Sequence, residues 1–207
     1  VEVRILDDKG RVLPAGIQGV LEVRGGIVMK GYYKKPELTK RVINKDGWFN
    51  TGDIGLKTID GELILKGRVK DTIVLRGGEN VEPLPIEMKL NESLYISQSI
   101  VVGQDERHLA ALLVPDQAEI KEYAETNKIT YITYEELLRK KEIQKLLSEE
   151  VKTLISAKNG FRLFERINHF DCISKPLEIG VELSAKQEIK RYVIRKMYAN
   201  TIKKLFL

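Results

Sequence analysis

Two residues of opposite charge, Asp53 and Arg68, flank two short apolar runs separated by Asp60-Gly61. An Asp-Gly pair between apolar runs is a two-residue hairpin signal, which predicts one strand over residues 54–59 and another over 62–67. Asp53 then opens the first strand and Arg68 closes the second. The returning chain brings both side chains to the same edge of the sheet. A carboxylate at that edge can accept two hydrogen bonds from a diol such as a ribose, and a guanidinium fork can donate to the same ligand. The plainer reading is a structural Asp–Arg ion pair at the base of a hairpin, and spacing alone favours it.

Other chemistry-bearing residues carry weaker signals. Gly77-Gly78, followed by Glu79 and Asn80, frees the backbone for a tight loop. His108 falls in a polar turn and His169 in a strand, neither with partners at metal-ligand spacing, so both read as structural. Cys172, the only cysteine, reads as a small buried residue rather than a nucleophile. No Ser-His-Asp or Cys-His arrangement stands out.

The stretch Gly47 to Gly55, Gly-Trp-Phe-Asn-Thr-Gly-Asp-Ile-Gly, followed by Gly-Arg-Val-Lys-Asp from Gly67 and Gly-Gly-Glu-Asn-Val-Glu-Pro from Gly77, resembles the C-terminal part of the adenylate-forming enzymes. That superfamily includes acyl-CoA synthetases, luciferases and the adenylation domains of peptide synthetases. Gly-Glu-Asn-Val-Glu-Pro from Gly78, and Ser97 to Arg107, are most similar to long-chain fatty-acid CoA ligases, and Met29-Lys30-Gly31-Tyr32-Tyr33 also resembles the ligase family. The resemblance covers about Val20 to Tyr198. It implies that Asp53 and Arg68 bind the ribose of ATP and of an acyl-adenylate. Lys70 would be the hinge of a small mobile domain, and Gly77, Gly78 and Glu79 the loop that enters the active site for the thioester-forming step. Trp48 and Phe49 would pack behind the Asp53 turn.

The same resemblance implies a lysine near the C-terminus that touches the substrate carboxylate and the α-phosphate. A cation there stabilises charge gathering on the phosphoryl oxygens. Two registers fit the stretch from Glu182 to Arg191. Matching Ser184-Ala185-Lys186 to the family's Ser-Gly-Lys makes Lys186 the catalytic cation. Matching Lys190-Arg191 to the family's basic pair puts Glu188 in the lysine's place. Lys186 is preferred, since a glutamate would repel the phosphate; the bland alternative is that Lys186 merely begins the terminal helix.

The elements that position these residues point to an α+β fold. Alternation over residues 1–6 and 18–24 predicts two strands, and Pro36 to Val42 a short helix with proline in its first turn. After the hairpin come a short strand at 72–75, a helix from Pro83 to Leu94 with Leu84, Met88 and Leu90 inward, and strands at 96–102 and 109–114. Helices follow at 117–126 and 134–157, the latter as one or two, then a strand at 167–173 and an amphipathic helix from Lys186 to Phe206. Residues 1–69 read as the β-rich end of a large N-terminal domain, and residues 70–207 as a small mixed α+β lid domain.

Composition bounds the rest. The 207 residues are 43% hydrophobic and carry net charge +5 from 35 basic and 30 acidic residues. Mixed charge without an aromatic-interleaved basic patch argues against nucleic-acid binding. The basic residues of the terminal helix, Lys190, Arg191, Arg195, Lys196, Lys203 and Lys204, are most simply its solvent face, with peripheral membrane contact left open. One cysteine rules out an internal disulfide and agrees with a reducing cytosol, so the expected location is cytoplasmic, membrane association left open.

The chain starts in mid-strand without a methionine and reads as a fragment. The superfamily's Gly/Ser/Thr-rich phosphate loop, acyl pocket and Mg2+-holding acid would lie upstream, in the missing N-terminal domain. The resemblance implies that the parent uses fatty acid, ATP, Mg2+ and coenzyme A, and that the fragment alone is inactive. The rivals are an adenylation domain charging a carrier protein and a non-catalytic lid or interaction module.

Overall fold

The computed structural model describes residues 1–207, which form two compact units, Val1–Thr72 and Ile73–Leu207. The first unit is a four-stranded antiparallel sheet in sequence order: β1 (Glu2–Leu6), β2 (Gly19–Arg24), β3 (Phe49–Lys57) and β4 (Leu63–Arg68). One short helix, α1 (Pro36–Val42), lies between β2 and β3. Ile5, Leu6, Leu21 and Ile54 are the buried apolar residues of this unit, and the guanidinium groups of Arg4 and Arg24 lie over the Trp48 ring, 4.2 and 4.7 Å from its centroid.

The turn joining β3 and β4 has three residues rather than two. Thr58 and Glu62 close it, the Thr58 N–H donating to the Glu62 carbonyl at 2.8 Å and the Gly61 N–H to the Thr58 carbonyl at 3.0 Å. Gly61 takes a left-handed conformation, φ +90°, the usual third residue of such a loop. The strands are correspondingly shifted, and Asp53 lies within β3 rather than opening it.

The second unit is a three-stranded sheet, β7 (Ile96–Val102), β8 (Leu109–Pro115) and β9 (Ile167–Cys172), with a two-stranded ribbon, β5 (Ile73–Val74) and β6 (Asn80–Val81). The helix α2 (Pro83–Leu90) links ribbon to sheet. β8 runs antiparallel to β7 and parallel to β9. A parallel pair needs a long crossover, here built from α3 (Gln117–Thr126), α4 (Tyr134–Arg139) and α5 (Lys141–Leu154). Side chains along a strand point alternately to the two faces, so the wholly buried β8 supplies two cores. Leu109, Ala111 and Leu113 join Ile86, Ile120, Leu137 and Leu147 from the helices before and within the crossover. Ala110, Leu112 and Val114 join Ile194 of α6 (Arg191–Met197) and, from α7 (Ala199–Lys204), Ile202.

One helical expectation left open is decided and three are corrected. The stretch 134–157 is two helices, because Lys140 is extended between them (φ −63°, ψ 139°). α2 stops at Leu90, and its inward stripe is Pro83, Ile86, Glu87 and Leu90, while Leu84 and Met88 face solvent. The terminal helix begins at Arg191, not Lys186, and breaks at Tyr198. Arg191 is not on a solvent face: its Nη1 and Nη2 donate to Oε1 and Oε2 of Glu87 at 2.9 and 2.7 Å. The pair's side chains are only 12% and 4% exposed. Glu87 Oε1 also accepts the Val101 N–H at 2.8 Å, so the carboxylate ties α2, β7 and α6 together.

Removing one partner of a buried pair strands the other charge, so Arg191→Met and Glu87→Ala are each expected to lose about 3–5 kcal/mol of stability. Urea unfolding followed by far-UV circular dichroism measures this. The Glu87→Leu/Arg191→Met double variant is expected to lose less than the two single losses combined.

Candidate functional site

In the first unit, a distortion of β3 exposes the candidate carboxylate. Val20 pairs with Ile54 but Glu22 pairs with Asn50, so Thr51, Gly52 and Asp53 leave the ladder with β2. Gly52 adopts φ +72°, a conformation that L side chains rarely take. The Asn50 and Thr51 side chains hold the excursion: the Gly52 N–H donates to Asn50 Oδ1 at 2.9 Å and the Asp53 N–H to Thr51 Oγ1 at 3.0 Å. Thr51 Oγ1 in turn donates to the Leu21 carbonyl at 3.0 Å.

Asp53 stands opposite Arg68 across the β3–β4 ladder, with Arg68 Nε 3.3 Å from Asp53 Oδ1. Both side chains are partly exposed, so an acceptor and a forked donor face the solvent together. Such an arrangement is able to grip a polar ligand with vicinal hydroxyls. Lys70 follows in an exposed single-turn 3-10 helix, Val69–Asp71, at the end of this unit.

In the second unit, the β5–β6 turn is the Gly77–Asn80 loop. The Leu75 N–H donates to the Glu79 carbonyl and the Gly78 N–H to the Leu75 carbonyl, both at 2.9 Å, with Gly78 at φ +91°. The neighbouring Arg76 is latched to the turn joining β7 and β8. Its N–H donates to the Glu106 carbonyl at 2.8 Å and its Nε to the Asp105 carbonyl at 3.2 Å.

Lys186 lies at the exposed tip of a small hairpin, where Leu183 bridges Ile189. The Ser184 N–H donates to the Glu188 carbonyl at 2.8 Å. Ser184 Oγ accepts the N–H groups of Lys186 and Glu188 at 3.2 and 3.1 Å, and Gln187 is left-handed at φ +62°. Side-chain capture of backbone donors competes with helix formation, which explains why the helix does not reach back to Lys186. Glu188 is exposed on the same loop, so the two residues of the alternative registers stand two positions apart on one hairpin.

The Glu87–Arg191 pair was missed from sequence. Its signal is an acid on the apolar stripe of α2, at 3-1-3 spacing with Pro83, Ile86 and Leu90. His108 and His169, 61 positions apart, are in ring contact at 5.3 Å, and Phe206 packs on His108 at 5.4 Å. No group of three or more His, Cys, Asp or Glu side chains is placed to hold a metal ion. Burial pushes the Cys172 thiol up to about 12, partly offset by a contact from Gln144.

The architecture and these loops define the class, and comparison with known proteins places the chain within it. Residues 70–207 match the AMP-binding enzyme C-terminal domain, and the chain belongs to that family. It is 38% identical, over 99% of its length and 29% of the relative, to "Probable acyl-activating enzyme 16, chloroplastic" of Arabidopsis thaliana. Over 66% of its length and 21% of the relative it is 46% identical to "Long-chain-fatty-acid--[acyl-carrier-protein] ligase AEE15, chloroplastic" of the same plant. Other relatives are named long-chain-fatty-acid–CoA ligases.

The fold superposes on the adenylation domain of a carboxylate reductase from Mycobacterium chelonae, with TM-score 0.81 and 23% identity, over 100% of this chain and 31% of that one. This supports the α+β fold class. The chain spans less than a third of the length of the relatives it matches. No helix is long and apolar enough to cross a membrane.

Cys172 is expected to resist iodoacetamide at pH 8 in the native chain and to react fully in urea, as read by mass spectrometry. Unfolded, the thiol ionises near its ordinary value of 9.0; folded, only near about 12. The unfolded chain therefore binds fewer protons in that window, and stability falls as pH rises from about 9 to about 12.

Proposed function

We propose that the chain is the C-terminal part of an ATP-dependent long-chain fatty-acid CoA ligase. The observation that most supports this is the family match over residues 70–207 joined to fatty-acid ligase relatives across most of the chain. In the first half-reaction a carboxylate oxygen of the fatty acid attacks the α-phosphorus of ATP. The bond to the bridging oxygen breaks and pyrophosphate leaves. In the second, the thiol sulfur of coenzyme A, its proton lost, attacks the acyl carbonyl and AMP leaves.

Each residue has a role in this reading. Asp53 accepts hydrogen bonds from the ribose hydroxyls and Arg68 donates to the same ribose. Lys186, long and exposed on its hairpin, neutralises the α-phosphate and carboxylate as they meet. Lys70 is the hinge, with residues 1–69 the end of the large domain and 70–207 the mobile lid. The Gly77–Glu79 loop serves the thioester step. The parent needs Mg2+ with ATP; in this chain no group of three or more His, Cys, Asp or Glu side chains is placed to hold it. The 207 residues alone catalyse neither half-reaction. The location is cytoplasmic, with peripheral contact to the membrane that supplies the acid.

One observation favours a second reading of the acceptor: the relative with 46% identity is named as a ligase for the acyl-carrier protein. A carrier-borne thiol would then replace coenzyme A, with the first half-reaction unchanged.

In the full-length parent, pyrophosphate release with ATP and long fatty acids is expected to fall about 100- to 1000-fold in Lys186→Ala, and to survive in Glu188→Ala. Retention in Lys186→Ala overturns that assignment, and no release with any fatty acid overturns the ligase reading. Product analysis with coenzyme A against a thiol-bearing carrier protein decides the acceptor. Asp53→Ala is expected to lower kcat/KM for ATP about 10- to 100-fold, the loss of a charge-assisted hydrogen bond.

A further inference from the structure

The positive charge of the chain is concentrated at one place. From Lys186 to Leu207 stand seven basic residues and one acid, Glu188, a net charge of +6 against +5 for all 207 residues. Arg191 is committed to Glu87, and Lys190 Nζ donates to the Gly180 carbonyl at 2.8 Å. The other five, Lys186, Arg195, Lys196, Lys203 and Lys204, are exposed.

Helix geometry collects four of them on one cap. α6 and α7 turn Ile194 and Ile202 into the second core, with Leu205 and Phe206 behind them. What faces outward is Tyr192, Arg195 and Lys196 on α6, then Asn200, Lys203, Lys204 and Leu207 along α7 and its end. Tyr192, Met197 and Leu207 are 73%, 52% and 95% exposed. Neither helix contains an acid. α5, by contrast, mixes Lys141, Lys145 and Lys152 with Glu142, Glu149 and Glu150, as a solvated face does. The nearby Glu106 carboxylate is 3.7 Å from Arg76.

We propose that the α6–α7 cap docks on an anionic lipid surface. Four uncompensated Lys and Arg side chains on adjoining helices suit phosphate-bearing headgroups. Tyr192 and Met197 are the large apolar side chains that enter the interface beside them. Three of the four cations are lysines, a residue depleted at protein–protein interfaces, which favours lipid over an acidic protein partner. Because the apolar stripe of both helices is already buried in the protein, binding is chiefly electrostatic and salt-sensitive rather than insertive. The reason to visit a membrane rests on the proposed fatty-acid reaction; docking itself is measured without ATP or turnover, so either idea can fail alone.

The test is co-sedimentation of the 207-residue chain with vesicles of phosphatidylcholine alone or containing about 30% phosphatidylglycerol. Binding is expected only to the anionic vesicles, and is lost as salt rises to about 0.5 M. The Arg195→Gln/Lys196→Gln/Lys203→Gln/Lys204→Gln variant is expected to bind about 100-fold more weakly or worse. Should that variant not fold, Lys203→Gln/Lys204→Gln is expected to lose about tenfold. A Lys141→Gln/Lys145→Gln/Lys152→Gln variant on α5 is expected to bind like the parent. Equal binding to neutral vesicles, an equal loss in the α5 variant, or no binding to anionic vesicles overturns the proposal. So does binding to an acidic carrier protein without binding to vesicles, which would reassign the cap to a protein partner.

Discussion

The second unit depends on one buried ion pair. Glu87 and Arg191 are 104 positions apart, and each gives both of its terminal atoms to the other. Two charges withdrawn from water are costly unless they are paired and their remaining hydrogen-bonding capacity is used. Here it is used: Glu87 also takes the Val101 N–H. The pair therefore fixes three elements at once. It stops α2 from rotating its acid outward, locks the edge of β7, and sets the first residue of α6.

That last consequence reaches the candidate chemistry. Arg191 comes three residues after Glu188 and five after Lys186, so the start of α6 is also the base of the hairpin that carries them. The hairpin is held at its other side as well. The Lys190 N–H donates to the Glu182 carbonyl at 2.8 Å, and Tyr198 places its hydroxyl 3.3 Å from Glu182 Oε1. A loop braced in this way presents an exposed side chain at a defined place, which is what electrostatic stabilisation of a reacting phosphate requires. Asp53 is held by a comparable device in its own unit, a strand excursion fixed by the side chains of Asn50 and Thr51, with Thr51 anchored on the Leu21 carbonyl.

Much of this was legible because it is local. Period-two alternation marks β1 and β2, short apolar runs mark β7 and β8, and proline at the first turn marks α1 within the bounds observed. Asp60-Gly61 announced a hairpin, and with it the meeting of Asp53 and Arg68. The loop is one residue longer than Asp-Gly alone implies, because Thr58 and Glu62 pair through backbone and side chain. The inward face of α2 is hidden in the sequence, because Leu84 and Met88 are apolar yet exposed, whereas Glu87 is buried with its partner on a distant helix.

The sequence alone determined most of the strands, the place of the β3–β4 turn and a basic C-terminal segment, since each rests on residues close together in the chain. Tertiary structure decided which basic residues remain for solvent, where the last helix begins, and that Lys186 stands on a hairpin rather than in a helix. A helical pattern of apolar residues continues through Ile189, but Ser184 Oγ captures two of the backbone donors there and Glu87 pins Arg191. The first is a competition between nearly equal local bonds and the second a charge pairing across 104 residues, and neither is visible in a periodicity.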